Sequence, residues 1–457
     1  MSERFDAIIV GAGQAGPPLA GRLTDAGMTV AVIERKLVGG TCVNYGCIPT
    51  KTLVASAHAA HVARRGADFG VQTGPVTVDM AKVRARKDKI VHDDRHGVED
   101  WITGMPGATL LRGHARFVGP KTLSVDGRLL AADRIFLNVG GRAVVPDIPG
   151  LADVDYLTNV GILELDTVPE HLVIVGGSYI ALEFAQMYRR FGARVTVVEK
   201  GPRLTSREDE DVSAAIKDIL EAEGITVVLD ATAMRITKRD NGFALQPRDG
   251  AEPIVGTQLL VATGRRPNTD DLGLEAAGVQ VDHRGHIVVD DQLRTTAEGV
   301  WAMGDCNGKG AFTHTSYNDF EIVAANLLDD DPRRVSDRIT TYALYIDPPL
   351  GRAGMTEDEV RRSGRKALVG KRPMTRVGRA VEKGETQGFM KVVVDAETKA
   401  ILGAAILGVG GDEVIHSILD VMTAKLPYTA ISRTMHIHPT VSELVPTMLQ
   451  DLRPLDN

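Results

Sequence analysis

The sequence predicts an α/β protein with two Rossmann-like dinucleotide-binding domains, followed by a C-terminal α+β domain. Three observations carry the prediction. An apolar strand, a glycine turn, a helix, a second apolar strand and a closing acid follow one another through residues 6–34. The same construction returns at 172–199, and 23 positions separate first glycine from closing acid in both copies, Gly11 to Glu34 and Gly176 to Glu199. From about residue 338 the pattern changes to strands such as Met390–Asp395 and Ile401–Leu407, mixed with helices such as Glu413–Ala424. A chain of 457 residues is also too long for one core.

In the first copy, Asp6–Val10 is a short continuous apolar run of the kind buried in a parallel sheet. Gly11, Gly13 and Gly16 let the backbone approach a pyrophosphate at a helix N-terminus, and Glu34, after the strand Met28–Ile33, can accept from a ribose. Pro17 and Pro18 fall in the first helical turn, where missing N–H donors cost no intrahelical bond. A lone glycine motif is weak evidence; the full order of elements is strong.

In the second copy the strands are Leu172–Val175 and Arg194–Val198. Gly176 and Gly177 are kept, but Ser178 and Ala181 replace the later glycines, and Ser178 is expected to crowd a pyrophosphate. Glu199 favours the free 2′-hydroxyl of NADH and repels a 2′-phosphate, although Arg203 lies near enough in sequence to blur that choice. Two dinucleotides are implied, as a hydride-transfer enzyme using a flavin and a nicotinamide requires.

Between the copies, Gly39-Gly40-Thr41-Cys42-Val43-Asn44-Tyr45-Gly46-Cys47 carries two of the three cysteines, ahead of a predicted helix over Thr52–Ala63. A thiolate near a helix N-terminus is stabilised by the dipole, and a close second thiol allows a reversible disulfide. A structural disulfide is the bland alternative, but three cysteines and no secretory signal do not suggest a stapled fold. A zinc site lacks a second Cys or His pair at ligand spacing, so no metal site is expected.

Residues 42–51, CVNYGCIPTK, resemble the C-x4-C-x-P-x-K signature of the flavoprotein disulfide reductases, the family of dihydrolipoamide dehydrogenase, glutathione reductase and mercuric reductase. Other segments extend the resemblance in family order. Ala262–Asn268 resembles the ATGRxPN turn that leaves the nicotinamide domain; Val300–Asp305 resembles the second flavin motif, read as a strand ending in an acid; and His438-Pro439-Thr440-Val441-Ser442-Glu443 resembles the interface motif H-P-T-x-S-E.

The resemblance implies FAD at Gly11, Gly13, Gly16, Glu34, Gly40, Thr41, Lys51, Gly304 and Asp305. It implies NAD(P)H, with NADH favoured, at Gly176, Gly177, Ser178, Tyr179, Ile180, Glu199 and Gly264, Tyr179 serving as a gate over the nicotinamide pocket. Cys47 would be the flavin-side thiol and Cys42 the thiol that attacks substrate; Lys51 and Glu183 would form an ion pair near the flavin. His438, oriented by Glu443, would be the acid/base supplied by the other subunit of a homodimer with a shared active site. His436 is read as a supporting residue and Cys306 as a buried small one. The implied domains are 1–148 and 267–337 for FAD, 149–266 for NAD(P), and 338–457 for dimerisation.

The segment after Asp305 and the run Pro348–Thr356 are nearest the mercuric reductase and reactive-chlorine-resistance branch. No cysteine stands in 450–457, which speaks against efficient Hg(II) handling, and His438 suits a substrate whose sulfur must be protonated. The expected reaction is therefore NAD(P)H:disulfide reduction on a small-molecule or small-protein disulfide. The alternatives are a dihydrolipoamide dehydrogenase, a Hg or Cu metal-ion or oxidant-stress reductase, and a non-catalytic redox sensor.

A net charge of −7 offers no basic field for nucleic acid. The early strand leaves no room for a signal peptide, and the apolar run Ile401–Gly411 is too short and glycine-broken to span a bilayer. A cytoplasmic enzyme with no membrane partner is the expectation.

Overall fold

The computed structural model describes residues 2–455. Strand β1 (Glu3–Val10) lies at the centre of a seven-stranded sheet, parallel to β2 (Val30–Glu34) on one side and to Arg128–Leu137 on the other. Ala108–Arg112 extends it beyond β2, and Val300–Ala302 returns to pair in parallel with Arg128–Leu137. Helix α1 (Gly16–Asp25) covers one face, and its second and third residues are Pro17 and Pro18, where no intrahelical bond is lost. Ile8, Ile9, Val32 and Ile33 are all buried, as expected for strands covered on both faces.

A second sheet is wholly parallel, in the order Thr226–Val228, Arg194–Val198, His171–Val175, Gln258–Val261 and Tyr156–Leu157. A third is wholly antiparallel, running from Thr341–Leu344 through Leu350–Gly354, Ile401–Leu407, Phe389–Asp395 and Ala367–Pro373 to Arg453–Pro454. Among the described residues no helix is long and apolar enough to cross a membrane.

Several boundaries differ from the sequence reading. The helix expected from Thr52 is α3 (Cys47–Arg64), because Pro49 falls in the first turn, where its missing N–H and fixed φ are tolerated. Strand β2 begins at Val30, not Met28; Thr29 ahead of it gives both its amide and its hydroxyl to the Asp6 carboxylate. The predicted strand ending at Asp305 stops at Ala302, and Gly304–Asn307 is a 3-10 turn. The helix read as Glu413–Ala424 spans Gly411–Thr423.

Helix α3, the second parallel sheet and the antiparallel sheet meet in one hydrophobic core. Leu53 and Ala57 of α3 pack with Leu182 and Ala185 of the helix Tyr179–Phe191, and with Leu344 and Leu350 of the antiparallel sheet. Each of these leucines contributes about 2 kcal/mol on burial and each alanine about 0.8 kcal/mol. Ion pairs lock the same junction. Lys391, 2% exposed, reaches Asp209 at 2.9 Å, Asp211 at 2.7 Å and Glu357 at 2.8 Å, so three acids converge on one ammonium. Arg352 reaches Asp209 at 3.2 Å.

Candidate active site

The two cysteines stand on successive helices. Cys42 is on α2 (Gly40–Tyr45), and Cys47 is the first residue of α3. Gly39 and Gly40 enter α2 at φ +88° and +61°, and a Cβ on Gly40 would fall 2.7 Å from the Gly13 Cα. Only bare backbone fits there, so the cysteine segment lies directly against the first glycine turn. Asn138 pins that turn, its Nδ2 donating to the carbonyls of Gly11 and Gly13, both at 3.2 Å.

Both thiols are free and half-buried. The hydrogen bond from Cys42 lowers the Cys47 pKa to about 6, helped by Thr313 and by the Lys51 charge against the opposing effect of burial. Thr313 Oγ1 lies 3.0 Å from the Cys47 sulfur. Cys42 moves the other way: its proton is held in the bond to Cys47, and burial disfavours a second thiolate. The reduced pair thus holds one proton near neutrality, on Cys42, with the negative charge on Cys47 at the N-terminus of an 18-residue helix.

Lys51 lies one turn further along α3. Its Nζ is 2.8 Å from Glu183 Oε2 and 4.5 Å from the centre of the Tyr345 ring. Glu183 is 5% exposed, and its other oxygen accepts from the Tyr345 amide at 3.0 Å. The carboxylate is therefore fixed on both oxygens, and the lysine charge is held beside the cysteines.

These groups share a cavity of about 960 Å3, at the upper end of the range for ligand sites. Gly11, Gly13, Glu34, Gly40 and Thr41 line it together with Cys42, Cys47, Lys51 and Glu183. Asp305 also lines it, 3.3 Å from Arg265, as do Tyr179 and Ile180. A cavity lined by side-chain-free backbone, by the acid that ends β2 and by a redox pair fits a flavin dinucleotide. A Cβ on Gly11 would come within 2.2 Å of the Asn138 carbonyl oxygen.

The second copy repeats the first down to its hydrogen bonds. Glu34 accepts from Ala12 N at 3.0 Å and Lys36 N at 2.8 Å; Glu199 accepts from Gly177 N at 2.6 Å and Gly201 N at 2.7 Å. Gly176, at φ +119°, approaches the Ala262 carbonyl as Gly11 approaches Asn138. Ser178 is exposed and extended, at φ −107° and ψ −179°, and Arg203 donates to the Ser206 carbonyl at 3.2 Å.

Other expected residues lie outside the cavity. Gly16 and Gly304 are buried packing positions; Gly176, Gly177, Ser178 and Glu199 make up the turn and closing acid of the second copy, and Gly264 follows the strand Gln258–Val261. His438 is 81% exposed in its side chain, held by Glu443 at 2.9 Å, and this chain alone does not bring the pair to the cysteines. His436 bonds the Thr434 carbonyl at 3.0 Å. Cys306 is fully buried, with its thiol pushed up to about 12 by that burial. The sequence reading missed Thr313, Asn138, Phe312 and Tyr345. Each reaches the site across more than 90 positions or from a loop, with no spacing signature to announce it.

The chain matches the pyridine nucleotide-disulphide oxidoreductase model over residues 5–319 and the dimerisation domain of the same family over 340–449. It is 38% identical over 450 residues to the probable pyridine nucleotide-disulfide oxidoreductase RclA of Escherichia coli (strain K12), covering 96% of this chain and 97% of that protein. A mercuric reductase of Staphylococcus aureus is 32% identical, over 90% of this chain and 76% of its own. The solved Cu(II) complex of the HOCl-induced flavoprotein disulfide reductase RclA from Escherichia coli superposes with a TM-score of 0.89 at 36% identity, covering 97% of this chain and 99% of that one.

Proposed function

We infer the roles of individual residues from one fact: the chain belongs to the pyridine nucleotide-disulphide oxidoreductase family. It is an FAD-dependent NAD(P)H oxidoreductase with a dimerisation domain. When bound, FAD supplies the two-electron relay between a nicotinamide and the Cys42–Cys47 disulfide.

The observation that supports this relay most is the unequal pair of thiols in the wall of the glycine-floored cavity. Cys47, as thiolate beside Lys51, is the thiol on the cofactor side. Cys42 is the interchange thiol. His438 of the partner subunit takes the Cys42 proton as the Cys42 sulfur attacks a substrate disulfide, forming a mixed disulfide, and returns that proton to the departing thiolate. Cys47 then attacks Cys42 sulfur, closing the internal disulfide and expelling the second substrate thiolate. Glu443 bonds Nδ1 of His438, which leaves Nε2 to face the thiol. Glu34 and Asp305 hold the flavin dinucleotide, and Glu183 keeps Lys51 oriented towards it. Gly176, Gly177 and Glu199 hold the nicotinamide dinucleotide, and Tyr179 covers the nicotinamide pocket until NADH arrives. Arg203 donates to the Ser206 carbonyl, and the Glu199 carboxylate would repel a 2′-phosphate, which favours NADH over NADPH.

The proposed substrate is an organic disulfide of a small molecule or small protein. A second reading, metal-ion reduction, is favoured by the Cu(II) complex of the similar Escherichia coli flavoprotein and by the affinity of thiolates for soft ions. Anaerobic NADH oxidation with lipoamide, glutathione disulfide, Hg(II) and Cu(II) in parallel, against a Cys42→Ser control, separates the two. Turnover of a disulfide that the substitution abolishes supports the first reading. Turnover of a metal ion alone replaces it with the second, and turnover unaffected by the substitution refutes the thiol relay.

A further inference from the structure

The tyrosine that lines the cavity is tied to a buried carboxylate. Tyr179 Oη donates to Glu208 Oε1 at 2.6 Å, and Tyr342 Oη donates to the same oxygen at 2.7 Å. Glu208 is 1% exposed, and its other oxygen, Oε2, has no hydrogen-bond partner, with Arg352 Nη1 3.7 Å away. Burial first, and then the Glu208 charge, push both phenols above their ordinary pKa, so both act as donors.

The anchor cannot follow Tyr179 if that ring swings away. Asp209, the next residue, is held by Arg352 and Lys391, and the Glu208 amide donates to the Thr205 carbonyl at 2.7 Å. Tyr342 is fixed from the antiparallel sheet, where its ring stacks on Phe312 at 5.4 Å and 15°.

We propose that Glu208 and Tyr342 are positioning residues that set how readily Tyr179 opens the nicotinamide pocket, Glu208 as the latch and Tyr342 as the donor that stays behind. The inference rests on the reading of Tyr179 as the gate. When Tyr179 leaves, Glu208 keeps the Tyr342 bond and is not stranded as a buried charge with no donor. Two phenols sharing one oxygen also divide its acceptor strength, so neither holds the gate as tightly as it would alone. The cost of opening enters the apparent affinity for NADH directly, because only the open fraction binds.

The two hydroxyls therefore act with opposite sign. Tyr179→Phe removes the latch bond and lowers KM for NADH. Tyr342→Phe keeps the ring stack, leaves Tyr179 as the sole donor to Glu208, and raises KM for NADH about tenfold, the weight of one charge-assisted hydrogen bond. Its effects on kcat at saturating NADH and on KM for the acceptor are smaller. Glu208→Gln, a neutral and weaker acceptor, lowers KM for NADH as Tyr179→Phe does. The test is steady-state kinetics of the FAD-loaded dimer, with flavin content and thermal melting recorded for each variant. If Tyr179→Phe and Tyr179→Ala both leave KM for NADH unmoved, the gate reading fails. If they move it but Tyr342→Phe lowers it or leaves it unchanged, the gate stands and the latch is overturned. A rise in KM for Glu208→Gln overturns the latch independently, should Tyr342→Phe not fold.

Discussion

At the scale of single residues, the chemistry depends on how one proton is divided between two sulfurs. Cys47 is an effective thiolate near neutrality because Cys42, Thr313 and Lys51 together outweigh burial, leaving its pKa at about 6. Thr313→Val removes one donor and should raise the Cys47 midpoint by about one pH unit. At pH 7 the thiolate population then falls from about nine-tenths to about half. A pH titration of thiolate ultraviolet absorbance in the reduced protein measures this, and Cys306, pushed up to about 12, stays silent across that range. An unchanged midpoint contradicts the assignment of Thr313 as a donor. Cys42, Cys47, Lys51 and the closing acids were legible in the sequence because their chemistry is written in local spacing. Thr313 was not: its bond to Cys47 spans 266 positions, and a threonine that opens the helix Thr313–Leu328 has no local spacing to announce a partner so far away.

Among the elements, the parallel strands were the most legible, since a strand buried on both faces is a continuous apolar run bounded by a turn. Their ends were less so. Pro49 reads as a helix breaker but sits in the first turn of α3, which placed the predicted start five residues late and hid the fact that Cys47 begins the helix. The ion network that holds the second parallel sheet's helix Glu210–Ala222 to the antiparallel sheet was also invisible, because Asp209, Arg352 and Lys391 are ordinary charged residues until folding buries them together. Burial alone raises the Asp209 and Asp211 pKa values; Arg352 and Lys391 reverse this for Asp209, and Lys371 and Lys391 for Asp211. Folded-state values below the unfolded ones stabilise the protein above about pH 4. That contribution is lost as pH falls through the folded values. Lys391→Met leaves the converging acids without their central cation and should cost about 3 kcal/mol. Urea denaturation at pH 7 measures it, and a loss below about 0.5 kcal/mol contradicts a clamping role.

For the whole molecule, the central claim is that each active site is built from two subunits. The segment around His438 fits that claim physically: Met435 is 96% exposed and Ile437 80%, apolar side chains that a dimer partner would cover. In the sequence the shared site was an implication of the family resemblance at His438-Pro439-Thr440; in this chain His438, held by Glu443, does not line the cavity that holds Cys42, and the contacts across an interface had no signal. The direct measurement is subunit complementation, using the acceptor that the native dimer turns over. Cys42→Ser and His438→Ala homodimers should each be inactive. Refolded together in equal amounts, they form mixed dimers with one intact site each, so the mixture should recover about a quarter of native turnover. Full activity in His438→Ala alone, or a mixture that contains mixed dimers by native mass spectrometry yet gains no turnover over its parents, would contradict a shared site.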